Sequence, residues 1–338
     1  MATGEIPSRA RARRDARYGM RRPLVLVAVL AGSVCSALVG LVTSAPALDL
    51  HAATTSYYEN DASSGVLYRQ GAQAGRSGAA GIVILDFGRP AQSGAVTGTM
   101  SFRGTFIPLA AVAVGVESYV RAYYHYAPSH TTLDVAVGTN NSCGPGQPCG
   151  ATTCGCSDEP DALGLWGAQF AYTVEEIGAW ARNFRARNGF TDDVRIIAAD
   201  DAEPAYDPGF TNTYEMLKGY ADAVGGTRPA MVDIGSAEGT YWTEKELFQV
   251  AYGLPPDVPM PQVYYPGQAG QWAALLSYAK SRLGKRVTVF GLLTKDPSNN
   301  DPATVGPASA YVALVNLLAR VTGQSSIPWV STIRFSIR

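Results

Sequence analysis

From about residue 80 onward the chain alternates between two hydrophobic patterns. The first is a short, almost continuous apolar run, as in Gly81–Phe87, the mark of a strand buried on both faces of a parallel sheet. Runs of this kind follow at Leu133–Val137, Val194–Ala199, Ala230–Ile234, Gln262–Tyr265, Val287–Leu292 and Val330–Phe335. The second is a 3.6-residue period. Trp272, Leu275, Leu276, Ala279 and Leu283 share a helical face that Gly284 ends, and Tyr311, Leu314, Val315 and Leu318 repeat it between Pro307 and Gly323. Thr173–Glu176 and Thr243–Glu246 read as capping boxes, hydroxyl and carboxylate together satisfying the first free amides of a helix.

These runs define seven strands. An eighth is assigned to Tyr119–Tyr126, rich in strand-forming tyrosine and valine; the link to Leu133 is then too short for a helix, so one crossover helix is missing. The alternative makes Pro108–Tyr126 one long helix. Strand–helix alternation over roughly 250 residues fits a (β/α)8 TIM-like barrel or an open doubly wound sheet. No Gly-x-Gly-x-x-Gly follows the first strand and no Gly-x-x-x-x-Gly-Lys occurs, which removes the usual nucleotide-binding signatures of open sheets and favours the barrel. Residues 80–338 are assigned to that barrel domain. Residues 48–79, polar and small, read as a lead-in with one helix around Tyr57–Gln70.

Composition changes the picture chiefly at the N-terminus. With 46% hydrophobic and 16% charged residues the bulk of the chain is able to bury a core, so disorder is excluded as its general state. The formal charge of -1 divides into +5 over residues 1–47 and -6 over the rest. A mildly acidic body is a poor match for phosphate backbones, and nucleic acid is excluded as a partner. The basic head ends at Arg21 and Arg22, before the uncharged apolar run Leu24–Val42 and then Ala45-Pro46-Ala47. That order describes a secretory signal peptide over residues 1–47, cleaved after Ala47; a membrane enters only if the segment stays uncleaved as an anchor. Export agrees with Cys143, Cys149, Cys154 and Cys156, which cluster in a Gly/Pro-rich loop. An oxidising compartment favours two disulfides there over a zinc site, and a Cys154–Cys156 bridge across one residue is the least favourable pairing.

Candidate chemistry lies at the strand ends, where barrel enzymes place their sites. Asp86 closes the first run on the face of Ile82 and Ile84. Asp201 and Glu203 share a face with Ile197 and Ala199, Asp200 points the other way, and Pro204 ends the pairing. Asp233 ends the next run, with Glu238 in the loop beyond it; Tyr264 and Tyr265 end another, and Thr294-Lys295 a further one. Acids at several strand ends beside tyrosines suit glycosidic cleavage, in which one carboxyl protonates the leaving oxygen and another attacks or activates water. Glu203, crowded by Asp201, is expected to hold its proton to higher pH while Asp201 stays charged. Asp86 and Asp233 complete the catalytic set, and Tyr264, Tyr265 and Trp242 are assigned to substrate, with Trp166, Tyr241 and Trp329 as further aromatic surfaces for sugar. No metal site is assigned, since His125 and His130 lack ligand spacing; no cofactor motif and no Gly-x-Ser-x-Gly elbow is present.

The runs Leu-Asp-Phe-Gly, Asp-Val-Ala-Val-Gly-Thr-Asn-Asn, Ala-Asp-Asp-Ala-Glu-Pro and Pro-Gln-Val-Tyr-Tyr-Pro-Gly-Gln-Ala-Gly-Gln-Trp resemble secreted actinobacterial glycoside-hydrolase-like barrels of unassigned activity, over roughly residues 80–335. The resemblance implies a TIM-type barrel and a polysaccharide or glycan ligand. Ile197-x-Ala199-x-Asp201-x-Glu203 is also similar to the acidic strand-end motif of family-18 chitinases, which implies Glu203 as general acid and Asp201 as the neighbour that orients an acetamido group; the chain departs from that motif at Ala199, where the family has a further aspartate. Two functions follow: a secreted glycosidase, or a non-catalytic sugar-binding or cell-envelope protein on the same fold.

Overall fold

Most of the apolar runs become parallel strands, and the helical periods become the connections between them. The computed structural model describes residues 53–142, 153–154, 160–207, 209–225, 230–297 and 303–335. Their order is β1 (Thr54–Tyr58), α1 (Ser64–Arg76), β2 (Gly81–Asp86), β3 (Arg89–Ser93), β4 (Val96–Met100), β5 (Phe106–Pro108), α2 (Leu109–Tyr126), β6 (Thr132–Asn140), β7 (Thr153–Cys154), α3 (Pro160–Asn188), β8 (Asp193–Asp201), α4 (Phe210–Ala223), β9 (Met231–Asp233), α5 (Glu244–Phe248) running into a π-helical turn (Gln249–Gly253), β10 (Asp257–Pro259), α6 (Gln268–Leu283), β11 (Leu292–Lys295), α7 (Pro307–Val321) and β12 (Val330–Phe335).

Eight strands form one sheet in the order β10-β9-β8-β6-β2-β1-β12-β11, every neighbouring pair parallel. Strand order follows chain order around this curled sheet. Its two edges also meet. The Phe290 amide donates to the Pro259 carbonyl at 2.8 Å, Leu293 to Pro261 at 2.9 Å, and Val263 to Leu293 at 2.9 Å, with a parallel bridge between Gln262 and Leu293. This is an α/β fold whose curled parallel sheet is compatible with a TIM-like barrel.

Alternation along the strands sorts the side chains into two cores. Val83, Leu85, Val135, Val137, Val194 and Ala198 pack with helical residues such as Val112, Val116, Ile177 and Leu314. Ile82, Ile84, Ala136, Ala199, Val232, Ile234, Met260, Leu293 and Ile333 form a second cluster without helical members, which is the concave face. Each fully buried aliphatic side chain is worth about 1.5–3 kcal/mol, so the larger helix-facing cluster carries most of the stability. A separate antiparallel sheet, β5-β4-β3-β7, is built largely from the excursion between β2 and α2. Trp166 on α3 donates its indole N–H to the Gly98 carbonyl of β4 at 2.8 Å, so it ties α3 to this sheet.

The eighth strand is not Tyr119–Tyr126. That segment is the second half of α2, and no crossover helix is missing there. Val112, Val116, Tyr119, Val120 and Tyr123 are wholly buried at helical spacing, and α1 packs so closely that a Cβ on Gly71 would lie 2.1 Å from the Tyr119 carbonyl oxygen. Helical packing overrides the strand preference of the tyrosines. The first strand is instead Thr54–Tyr58, so the stretch read as a lead-in supplies β1 and α1 to the sheet. Its inward positions are polar: Thr54 and Ser56 hydroxyls bond the Ser331 hydroxyl at 2.9 and 2.7 Å.

Smaller differences have local causes. Thr173 lies inside the 29-residue helix α3, and its hydroxyl donates back to the Gln169 carbonyl at 3.0 Å instead of capping. Thr243 and Glu246 do form a capping box, Gly284 ends α6 at φ 64°, and Pro307 opens α7. The run Gln262–Tyr265 lies just beyond β10, and Val287–Leu292 mostly precedes β11. The leader over residues 1–47 and the disulfide assignment at Cys143, Cys149 and Cys156 lie outside the described residues; of Cys154 only the backbone is described. No helix among the described residues is long and apolar enough to cross a membrane.

Candidate active site

At the carboxyl end of the sheet the concave face changes from aliphatic to polar. Tyr58 ends β1, Asp86 ends β2, Asp201 ends β8, Glu203 follows two residues later, and Gln262 and Tyr264 follow β10. Tyr58, Glu203, Tyr206, Gln262, Tyr264 and Lys295 line a cavity of about 260 Å³, together with Ser236, Glu238, Tyr265, Gln268 and Ile333.

Glu203 is held from both sides. Its amide donates to Asn141 Oδ1 at 2.9 Å and its carbonyl accepts from Asn141 Nδ2 at 3.1 Å; the same Nδ2 lies 2.9 Å from the Thr213 hydroxyl. Its Oε1 accepts from Gln262 Nε2. Asp201 lies deeper, with no exposed surface, and Oδ2 accepts from the Tyr58 hydroxyl at 2.9 Å. That hydroxyl also lies 3.2 Å from the Tyr264 hydroxyl, so two strand-end tyrosines and an acid form one chain of contacts. Asp86, likewise fully buried, accepts the Gly88 amide at 2.7 Å through Oδ1, while Oδ2 has no hydrogen-bond partner among the described residues. Gly138 stands opposite it in β6, and a Cβ there would come within 2.9 Å of the Asp86 backbone, so glycine permits the approach.

Burial dominates the electrostatics. It raises Glu203 to about 7, with the Gln262 bond opposing and the Glu238 charge adding. It raises Asp201 well above the carboxylate range, reinforced by Glu203 and Asp86 and opposed by the Tyr58 bond. Asp86 rises to about 7 by burial against the Gly88 amide. The expected division, with Asp201 charged and Glu203 protonated, therefore gives way to two acids that are both raised, because Asp201 is the more deeply buried of the pair.

Not all expected residues converge. Asp233 is in register with Asp200, on the face opposite Ala199 and Val232; it accepts the Gly235 amide at 2.9 Å and does not line the cavity. Trp242 is buried, edge-on to Phe210 with centroids 6.0 Å apart, and lines a neighbouring groove. Trp329 packs against Gly81 at the amino end of β2. Tyr264 and Tyr265 do line the cavity; their amides both donate to Gln268 Oε1, at 2.6 and 2.9 Å, and the Tyr265 hydroxyl accepts from Lys295 Nζ at 3.1 Å. Among the described residues no group of three or more histidine, cysteine or acidic side chains is arranged to hold a metal ion.

Five site residues were not singled out from the sequence: Tyr58, Asn141, Tyr206, Gln262 and Gln268. Tyr58 sits in a strand without aliphatics, and Asn141 acts across 62 positions on Glu203. The signal for Gln262 and Gln268 was their position beside the tyrosine pair. Phe102, on the excursion after β4, adds an edge contact to Tyr58 with centroids 4.7 Å apart.

No family model, no curated protein and no solved structure matches this chain.

Proposed function

We propose that the chain is a (β/α)8 barrel enzyme that hydrolyses glycosidic bonds in a polysaccharide, with Glu203 as general acid. The observation that carries this reading is a single one: Glu203, raised to about 7 by burial, faces a strand-end cavity between Gln262 and the tyrosines. A carboxyl that keeps its proton near neutrality, next to a space of about one sugar ring, suits protonation of a leaving glycosidic oxygen. The barrel reading is supported by strand order that follows the chain and by the hydrogen bonds between the sheet's two edges.

Asp201 does not line the cavity, so its role is exerted through Tyr58, whose hydroxyl on the cavity wall it holds through Oδ2 at 2.9 Å. The second carboxylate on the cavity wall is Glu238, from the loop after β9, and it takes the part of nucleophile or water-activating base. Tyr264 and Tyr206 supply hydroxyls to the sugar. With the basic, apolar leader, the reading is of an enzyme exported towards an external glycan.

The test is release of reducing ends from a panel of soluble polysaccharides by the purified chain and its Glu203→Gln variant. Loss of general-acid catalysis is expected to lower turnover by about 10²–10⁴-fold, with binding and Tm nearly unchanged. Binding without turnover in the wild type would transfer the chain to the sugar-binding class.

A further inference from the structure

Asp201 has no exposed surface and lies behind the cavity wall, yet a row of hydroxyls leads from it to the cavity. Its Oδ2 accepts from the Tyr58 hydroxyl at 2.9 Å, and that hydroxyl lies 3.2 Å from the one on Tyr264. Both tyrosines line the cavity. Tyr58 is 3% exposed and Tyr264 only partly buried, so the row runs outward from the acid. Its members come from the ends of β1 and β8 and from the segment after β10, so the curled sheet, not one local turn, assembles it.

A tyrosine hydroxyl has one proton to donate, and its oxygen also accepts. With one proton in each contact, the row has two arrangements. When Asp201 is charged, Tyr58 donates to it, Tyr264 donates to Tyr58, and the Tyr264 oxygen offers the cavity an acceptor. When Asp201 is protonated at Oδ2, it donates to Tyr58, Tyr58 donates to Tyr264, and Tyr264 offers the cavity a donor. In passing from the first to the second, a group in the cavity gives a proton to Tyr264, the Tyr264 proton moves to Tyr58, and the Tyr58 proton moves to Asp201. Three O–H bonds break and three form. Both tyrosines end neutral, and the negative charge passes from Asp201 to the group that gave the proton. Asp86 from β2, Asp200 and Glu203 from β8 and beyond, and Tyr206 from the following loop also act on this row. Burial, then Glu203 and Asp86, favour the protonated arrangement, and the Tyr58 bond favours the charged one.

We propose that Tyr58 and Tyr264 are a two-hydroxyl proton relay through which the buried Asp201 exchanges a proton with a group in the cavity. Asp201 thereby sets whether Tyr264 meets a ligand as donor or as acceptor. That the ligand group is a sugar hydroxyl rests on the glycan reading; the relay itself works equally on water.

The test uses the full chain without ligand, its aspartate carboxyls isotope-labelled, and follows the infrared band of protonated carboxyl groups. Asp201→Asn removes the Asp201 band, and Tyr58→Phe, which takes away its hydrogen-bond partner, shifts it, so two variants assign it. On transfer to heavy water, Tyr58→Phe and Tyr264→Phe are each expected to slow exchange of the Asp201 proton about ten-fold or more, since local opening is then the remaining route. Loosened packing would speed exchange, so slowing separates the relay from a structural role. If Tyr58→Phe does not fold, Tyr264→Phe, on the outer member, carries the test. Exchange as fast as in the wild type in either folded variant overturns the relay, as does an Asp201 that stays charged at neutral pH. An intact relay in a chain that cleaves no polysaccharide sinks only the hydrolase, and cleavage without the relay sinks the relay alone.

Discussion

Asp201 and Glu203 leave one face of an extended chain because side chains alternate along a strand, and that alternation was legible in Ile197, Ala199, Asp201 and Glu203. The same count places Asp233 on the side of Met231, away from Val232 and Ile234; which side faced the cavity was not legible, since both neighbours are apolar. Asn141 was hidden because its partner is distant in sequence. It is a positioning residue: its side chain holds the Glu203 amide and carbonyl and contacts Thr213. Asn141→Ala is expected to cost about 1–3 kcal/mol, read as a lower urea midpoint, and to reduce kcat more than it changes KM. An unchanged kcat would remove Asn141 from the positioning of Glu203.

Among elements, most runs rich in aliphatic residues were readable as strands, Val287–Leu292 apart, which mostly precedes β11, and β1 was not. Thr54 and Ser56 fill the concave face with hydroxyls that pair with Ser331, so the strand lacks the hydrophobic signature of its neighbours. The opposite error at Tyr119–Tyr126 arose from strand-forming side chains held in a helix by α1. Gly71 permits that packing, and Gly71→Ala would place a methyl against the Tyr119 carbonyl. Although alanine favours a helix by about 1 kcal/mol over glycine, overpacking of about 1–3 kcal/mol or more is expected to dominate. Thermal unfolding checks the sign: a raised Tm for Gly71→Ala would mean the two helices are not in close contact.

At the scale of the whole molecule, burial of acids sets a pH dependence of stability. Glu59 is raised to about 8 and Asp86, Glu203 and Asp233 to about 7, in each case chiefly by burial. In the unfolded chain these groups titrate near 4, so between pH 4 and 8 the folded state binds more protons. Stability therefore falls as pH rises through this window, and Tm at pH 5 is expected to exceed Tm at pH 8 by about 5 °C or more. A Tm that rises from pH 5 to pH 8 would show that these acids are ionised at little cost in the fold. In the proposed hydrolase the same protonation would arm Glu203 as the general acid, and its clearest measure is the pH dependence of kcat/KM on a soluble polysaccharide. The expected profile falls on the alkaline side near pH 7 as Glu203 loses its proton. Gln262→Leu, which removes the bond that favours the charged form, is expected to move that limb to higher pH, and Glu203→Gln to remove the activity. Turnover by Glu203→Gln at the wild-type rate, with the alkaline limb unmoved, would contradict Glu203 as the proton donor.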